Sequence, residues 1–217
     1  MMVHPLPEKI QEPKTAAKIP MTAVILAGGK SSRMGQDKAL LKFGEETILE
    51  YLARLSSSLF TETFIVISKN KNYDSLDLSG ATIFTDFFEN HGPLAGLYTG
   101  LSYSMHQASC VLTCDMPFVD EALLRELAGS WQEHYDAICF QDPSGRLQPF
   151  PGIYLRSSRY FVRLLLDRSE ISVKRLLDIL VVNPFPLSEK RMKALLNMNT
   201  LEDYQYVLEE NKRWSKK

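Results

Sequence analysis

The 217-residue sequence has little of what marks several classes of protein. Its three cysteines, Cys110, Cys114 and Cys139, form no Cys-x-x-Cys pair, which is typical of a reducing compartment and not of a disulfide framework. The four histidines are scattered and do not have the spacing of zinc ligands. No apolar run approaches the ~20 residues of a membrane span. Four prolines within the first 20 residues interrupt any secretory signal, so we expect a cytoplasmic protein.

The sequence also has no excess of charge of either sign. Lysine and arginine number 25 and the acidic residues 26, for a formal charge of -1. A protein that binds nucleic acid or an acidic membrane through its overall charge needs a basic surplus. We therefore expect neither as a partner, and basic groups that matter must act locally, in a site.

The organisation predicted along the chain is a leader followed by one domain. Residues 1–20 are rich in proline, and we predict that they form a disordered leader or extension. Met21 directly precedes the first convincing strand, which suggests the hypothesis that translation starts there. Residues 21–217 contain no repeat and no linker, and a single domain of this size buries roughly 70% of its unfolded surface.

Short apolar runs alternate with helical patterns through this domain. We predict strands at 22–27, 64–67, 81–84, 110–113, 137–140, 150–155 and 179–182. Helices are predicted after a capping box at Thr47–Glu50, at 94–105, after Asp120, at 158–166, at 172–178 and after Thr200. This alternation predicts an α/β fold, a single three-layer Rossmann-like domain with a mostly parallel sheet and helices on both faces.

The most informative segment is the loop that leaves the first strand, LAGGKSSRMGQDK at 26–38. Ligands of an open α/β sheet bind beyond the carboxyl ends of the strands. Gly28 and Gly29 let the backbone approach a ligand closely, and Arg33 and Lys38 suit a polyphosphate. The loop is not a Walker A motif, because Gly35 is not followed directly by Lys-Ser/Thr, and the chain has no G-x-G-x-x-G.

Four further motifs narrow the interpretation: HGPLAGL at 91–97, TCDMPF at 113–118, QPFPGIY at 148–154 and LLNMNT at 195–200. With the first loop, they resemble the molybdenum cofactor guanylyltransferases, over essentially residues 21–210. The family's fold is a Rossmann-like nucleotidyltransferase domain, in which the first loop wraps the triphosphate of a nucleotide.

The resemblance implies a role for individual residues. Leu26, Ala27 and Gly28 would lie against guanine and ribose, with Gly29 continuing the loop. Arg33 and Lys38 would contact the phosphates, Asp86 would hold the nucleoside, and Asp115 would bind magnesium. Asn197 and Asn199 would lie on the side of the pterin acceptor. Ser68 stands where the family often has an asparagine that contacts guanine, and a serine has one fewer hydrogen-bonding arm.

The implied reaction is transfer of GMP from GTP to the terminal phosphate of molybdopterin or Mo-molybdopterin, which forms molybdopterin guanine dinucleotide and releases pyrophosphate. A phosphate monoester has a second pKa near ~6, so its oxygen is ionised at neutral pH and needs no general base. The reaction needs charge neutralisation and in-line positioning. We predict that Arg33, Lys38 and Asp115 supply them together with Mg2+.

Other interpretations stay open at this point. A CTP-dependent molybdopterin cytidylyltransferase or another small-molecule nucleotidyltransferase would share the fold, although the cytidylyl enzymes typically read L-A-A-G in the first loop. A non-catalytic nucleotide sensor would not need Arg33, Lys38 and Asp115 together. Asp115 and Asp86 could cap turns, and Asn197 and Asn199 could bind backbone groups. The resemblance also implies transient contacts with molybdenum-insertion proteins and molybdoenzyme chaperones.

Overall fold

A computed structural model describes residues 17–29 and 36–214. Within them the strands are β1 (Ile19–Leu26), β2 (Lys42–Phe43), β3 (Glu46–Thr47), β4 (Phe60–Ile67), β5 (Thr82–Thr85), β6 (Ala108–Thr113), β7 (Ala137–Gln141), β8 (Leu147–Leu155) and β9 (Val182–Pro186). The helices are α1 (Ile48–Leu59), α2 (Gly92–Tyr103), α3 (Glu121–Gly129), α4 (Arg159–Asp167), α5 (Val173–Leu177) and α6 (Leu201–Trp214). Most of the predicted leader, and Arg33, lie outside the described residues.

The main sheet has seven strands in the order β5-β4-β1-β6-β8-β7-β9. Strand β8 runs antiparallel to both of its neighbours, and the other pairs are parallel, which confirms a mostly parallel sheet. The chain passes from β1 outward to β4 and β5, and then returns to the other side of β1 to form β6. The strand order therefore reverses between β1 and β6, the place where ligands bind in open α/β sheets.

Strand β1 is buried from both sides. Ala23 and Ile25 pack in a cluster with residues of α1, α3 and α6, whereas Val24 and Leu26 pack in a second cluster with α2, α4 and α5. Because alternate side chains of a strand point to opposite faces, a strand covered by helices on both faces needs a continuous apolar run. The three-layer arrangement predicted from the sequence is confirmed.

In the part of the chain that the structure describes, no helix is long and apolar enough to cross a membrane.

Two helices begin at the caps that the sequence predicts. The hydroxyl of Thr47 accepts the backbone N–H of Glu50 at 3.2 Å, and the carboxylate of Glu50 accepts the backbone N–H of Thr47 at 2.7 Å. The Thr47 N–H also lowers the pKa of Glu50. Asp120 caps α3 by accepting the N–H of Leu123 at 2.7 Å. These reciprocal bonds satisfy donors that a helix start leaves without partners.

Several predicted strand limits are wrong: β4 begins at Phe60 and not at residue 64, and β8 begins at Leu147 and not at residue 150. Strand β1 begins at Ile19, which pairs with Phe60, and not after Met21. The late strand is not at 179–182: β9 covers Val182–Pro186 and so contains both Pro184 and Pro186. It forms the edge of the sheet, paired with β7. An edge strand tolerates proline because its outer side needs no ladder hydrogen bond, so Pro184 does not end the strand as predicted.

Gly100 lets α2 approach β1 closely. A Cβ built on Gly100 would overlap Cγ1 of Val24 and would lie 3.0 Å from its Cγ2, and Val24 is fully buried. We predict that Gly100→Ala lowers the free energy of unfolding by about 1–3 kcal/mol, as overpacking of a core does, measured by urea denaturation. The control is Gly129→Ala, whose Cβ would have no heavy atom within 4 Å. An equal loss in both variants would contradict the close approach.

Candidate active site

A cavity of about 870 Å³ opens at the carboxyl ends of β1, β4, β5 and β6. A residue from the segment that follows each strand lines it. Gly28 follows β1, Ser68 follows β4, Asp86 follows β5 and Asp115 follows β6. Parallel strands place their carboxyl ends at one edge of the sheet, so residues far apart in sequence share one site.

Most of the predicted site residues meet in this cavity. Those that line it are Leu26, Gly28, Gly29, Lys38, Ser68, Asp86, Asp115 and Asn197. Ala27 does not: it is almost fully buried and belongs to the core cluster on the α1 side of the sheet. Asn199 lies beside the cavity, where its side chain contacts Lys38. The prediction for Arg33 falls outside the described residues.

Lys38 and Asp115 form the charged centre of the site. The Lys38 Nζ lies 3.6 Å from Oδ2 of Asp115, and the two side chains are 17% and 24% exposed. The other carboxylate oxygen, Oδ1, accepts the hydroxyl of Thr113 at 2.7 Å. Lys38 Nζ also donates to Oδ1 of Asn199 at 2.8 Å. A cation and an anion thus stand side by side in a partly desolvated cleft, where charge acts more strongly than in water.

The turn that carries Asn199 is tied to the same centre. The backbone N–H of Met198 donates to the carbonyl oxygen of Asp115 at 2.8 Å. Oδ2 of Asp203 accepts the N–H groups of Asn199 and Thr200, both at 2.8 Å. These bonds, that of Asn199 first, lower the pKa of Asp203. The carboxylate of Asp203 therefore fixes this turn at the start of α6, next to β6.

Asp86 is a half-buried carboxylate at the end of β5. Its Oδ1 accepts the hydroxyl of Thr99 at 2.8 Å and the backbone N–H of Phe88 at 3.2 Å. Burial raises the pKa of Asp86, and this effect outweighs the hydrogen bonds, which lower it. A carboxylate held in this way can accept hydrogen bonds from ligand hydroxyl or amino groups.

Ser68 contacts the glycine loop. Its hydroxyl donates to the carbonyl oxygen of Gly28. A Cβ at Gly28 would lie 2.9 Å from Oγ of Ser68 and 3.2 Å from its backbone nitrogen, so this position has no room for alanine without a shift. The structure therefore gives the Ser68 hydroxyl a partner within the loop, in addition to its place in the cavity wall.

A clamp that the sequence does not predict fixes Asp37, directly before Lys38. The carboxylate of Asp37 accepts the phenol of Tyr73 at 2.8 Å and forms an ion pair with Lys71, which lines the cavity. Its other oxygen accepts the N–H of Ala39 at 3.2 Å and caps a short 3-10 helix that contains Lys38. Asp37 lies in the motif LAGGKSSRMGQDK, but no pattern in the sequence points to Lys71 or Tyr73.

Two types of chemistry are disfavoured by the cavity wall. Cys114 is half-buried and lines the cavity, but burial raises its pKa to about 12, so the thiol stays protonated at neutral pH and is a poor nucleophile. Among residues 17–29 and 36–214, no group of three or more acidic, histidine or cysteine side chains could hold a metal ion alone. A cation at Asp115 would therefore share its ligands with a substrate.

Comparison with known proteins identifies the family of this chain. A family model described as the MobA-like NTP transferase domain matches residues 23–183. The chain belongs to this family. The match includes the loop after β1 and the strand ends that carry Ser68, Asp86 and Asp115, whereas the turn at 197–199 lies beyond it.

Relatives match nearly the whole length of this MobA-like chain. A protein of Carboxydothermus hydrogenoformans called a probable molybdenum cofactor guanylyltransferase is 34% identical over 195 residues, which cover 87% of this chain and 95% of that protein. One of the same description from Clostridium perfringens is 33% identical and covers 88% and 97%. The structure of molybdopterin-guanine dinucleotide biosynthesis protein A from Archaeoglobus fulgidus has a TM-score of 0.76 at 22% identity, covering 89% and 100%, and shares the fold.

The Asp37 clamp generates a test of stability. Tyr73 is almost fully buried, and Tyr73→Phe would remove the phenol that donates to the Asp37 carboxylate. We predict a loss of about 1.5–3 kcal/mol in the free energy of unfolding, the usual range for a hydrogen bond to a charged group, measured in urea. Tyr51→Phe is the matched comparison, because its phenol donates to the neutral carbonyl of Val119 at 2.7 Å. A loss no greater than in Tyr51→Phe would argue against the clamp.

Proposed function

We propose that the protein transfers GMP from GTP to the terminal phosphate of molybdopterin, forming molybdopterin guanine dinucleotide and releasing pyrophosphate. One observation carries the proposal: a double-glycine loop, Lys38, Asp86 and Asp115 line a single cavity at the switch point of the sheet. The family membership and the descriptions of the relatives support the same reaction.

The donor nucleotide would bind along the ends of β1, β4 and β5. Gly28 and Gly29 bring bare backbone to the cavity wall, which lets amide groups approach phosphate oxygens. Asp86 would accept hydrogen bonds from the nucleoside. Lys38 would bind the phosphates together with Arg33, whose assignment rests on the loop motif alone.

The acceptor needs no general base in this scheme. The attacking group is an ionised phosphate oxygen, so the protein has to bring two anions together and stabilise the charge of the departing pyrophosphate. We assign this role to Lys38, because it is a partly buried cation in the cavity wall. The protonated thiol of Cys114 agrees with a direct transfer that forms no covalent enzyme intermediate.

The carboxylate of Asp115 fits the requirements of Mg2+. This ion is usually held by one or two carboxylates plus substrate phosphates, not by a complete protein cage, and Asp115 is a cavity-lining carboxylate in an incomplete donor set. When bound, the ion would neutralise phosphate charge. Thr113, through its hydrogen bond to Oδ1, would orient the carboxylate toward it.

The molybdopterin acceptor would occupy the part of the cavity lined by β8 and by the turn before α6. Gln148, Phe150 and Asn197 lie in this wall. Two amides and an aromatic ring match a flat heterocycle that both stacks and forms hydrogen bonds. We place the pterin here, with Asn197 as its contact.

The cytoplasm is the proposed location, and molybdenum-insertion proteins and molybdoenzyme chaperones are the proposed transient partners.

Nucleotide selectivity tests the proposal directly. We predict that calorimetry with each of the four nucleoside triphosphates and magnesium shows the strongest binding for GTP. A preference for CTP would instead support the cytidylyltransferase alternative with the same fold and charged centre. Binding of no triphosphate would contradict the assignment of the cavity.

Asp115 provides a test of the chemistry. We predict that Asp115→Ala abolishes pyrophosphate release in the presence of magnesium, GTP and molybdopterin, because the phosphates lose their metal-binding carboxylate. GTP binding should weaken far less, since the glycine loop, Lys38 and Asp86 remain. Asp115→Asn, which keeps the side-chain shape without the charge, should be equally inactive. Unchanged turnover in either variant would refute the role of the carboxylate.

A further inference from the structure

Asn199 and Asp115 both contact the amine of Lys38, and they differ in charge. Oδ1 of Asn199 lies 2.8 Å from Nζ, at hydrogen-bond distance, whereas Oδ2 of Asp115 lies 3.6 Å away. We propose that Asn199 is a positioning residue for Lys38. In this role Asn199 supports binding of the donor nucleotide and does not act by binding the pterin. The inference rests on the proposed function, because it concerns the same phosphate-binding lysine.

The lack of charge on the amide explains why an asparagine suits position 199 as a hydrogen-bond acceptor for Lys38. A neutral amide oxygen orients the ammonium group without cancelling its charge, so the full positive charge remains for phosphate. Removal of the Asn199 amide would leave the carboxylate of Asp115, at 3.6 Å, as a competing acceptor for the amine. Lys38 would then move closer to Asp115 than the present 3.6 Å. The lysine would be less able to bind the triphosphate, and the carboxylate would be less able to bind its cation.

The backbone around Asn199 places the side chain independently of the amide itself. Asp203 holds the N–H groups of Asn199 and Thr200, and the N–H of Met198 bonds to the carbonyl of Asp115. The turn that carries Asn199 is therefore fixed to Asp115, whose carboxylate must stay available for a cation. Substitution of the Asn199 side chain removes none of these backbone bonds, so the variants are expected to fold.

Asn197 provides a matched control in the same turn. Both asparagines precede α6, but Asn197 lines the cavity, and we assign it to the acceptor. We expect Asn199→Ala to weaken magnesium-GTP binding by about 10-fold or more, as loss of a hydrogen bond to a charged group does, with a small effect on the KM for molybdopterin. Asn197→Ala should change GTP binding less than about 2-fold and raise the KM for molybdopterin. The reverse pattern would overturn the proposal.

Two further variants separate positioning from a structural role. Asparagine and aspartate both suit turns, so a purely structural residue would tolerate Asn199→Asp. We expect Asn199→Asp to weaken GTP binding at least as much as Asn199→Ala, because its carboxylate would neutralise Lys38. In a Lys38→Ala background, Asn199→Ala should cause no additional loss, since groups that act through one another are not additive. Retained binding in Asn199→Asp, or additive losses, would contradict the proposal.

A chemical readout distinguishes failure of this inference from failure of the proposed function. The nucleotide-free protein is treated with acetic anhydride, and acetylation of Lys38 is followed by mass spectrometry. We expect slower labelling of Lys38 in Asn199→Ala than in the wild type or in Asn197→Ala, because an amine in closer contact with the Asp115 carboxylate is less available to the reagent. If the wild-type protein binds no nucleoside triphosphate, guanylyl transfer is wrong, and the labelling rates alone decide whether Asn199 holds the amine. Equal rates in all three proteins would overturn that contact.

Discussion

The proposed site depends on holding a lysine and a carboxylate close together while both remain available to a ligand. Both groups are partly buried, and in that environment an unopposed ion pair would contract until neither charge was available to a ligand. The structure surrounds the pair with other partners: Thr113 binds one oxygen of Asp115, and Asn199 binds the amine of Lys38. In our proposal, these hydrogen bonds help to keep the two charges 3.6 Å apart.

Those neighbours come from distant parts of the chain, and the parallel sheet is what brings them together. Lys38 emerges from a loop that Asp37 anchors to Tyr73, whose phenol also lies 3.3 Å from the carbonyl of Ala27 at the end of β1. Asp115 follows β6, which pairs with β1, and its carbonyl binds the turn before α6. A disturbance of β1 would be felt by the loop, the lysine and the carboxylate at once.

The sequence predicted those features that depend on local pattern. Apolar runs located β1 and β6, the box at Thr47 located the start of α1, and the motif at 113–118 placed Asp115 at a strand end. Contacts between segments were not predicted, because hydrogen bonds such as Tyr73 to Asp37 or Lys38 to Asn199 depend on the folded path and have no periodicity. Strand β9 was misplaced for a related reason. Whether Pro184 ends a strand depends on whether that strand lies at an edge, which is a property of the whole sheet.

The Gly28–Ser68 contact bears on how the proposed site would select a nucleotide base. A loop residue and the residue after β4 share one space, since a Cβ at position 28 would lie 2.9 Å from Oγ of Ser68. The hydroxyl also fixes the direction of the Gly28 carbonyl, and in a planar trans peptide the N–H of Gly29 must then point the opposite way. A change at either position alters the orientation of a backbone donor at the cavity wall. In the proposed nucleotide site, base selectivity would therefore depend on Gly28 and Ser68 together.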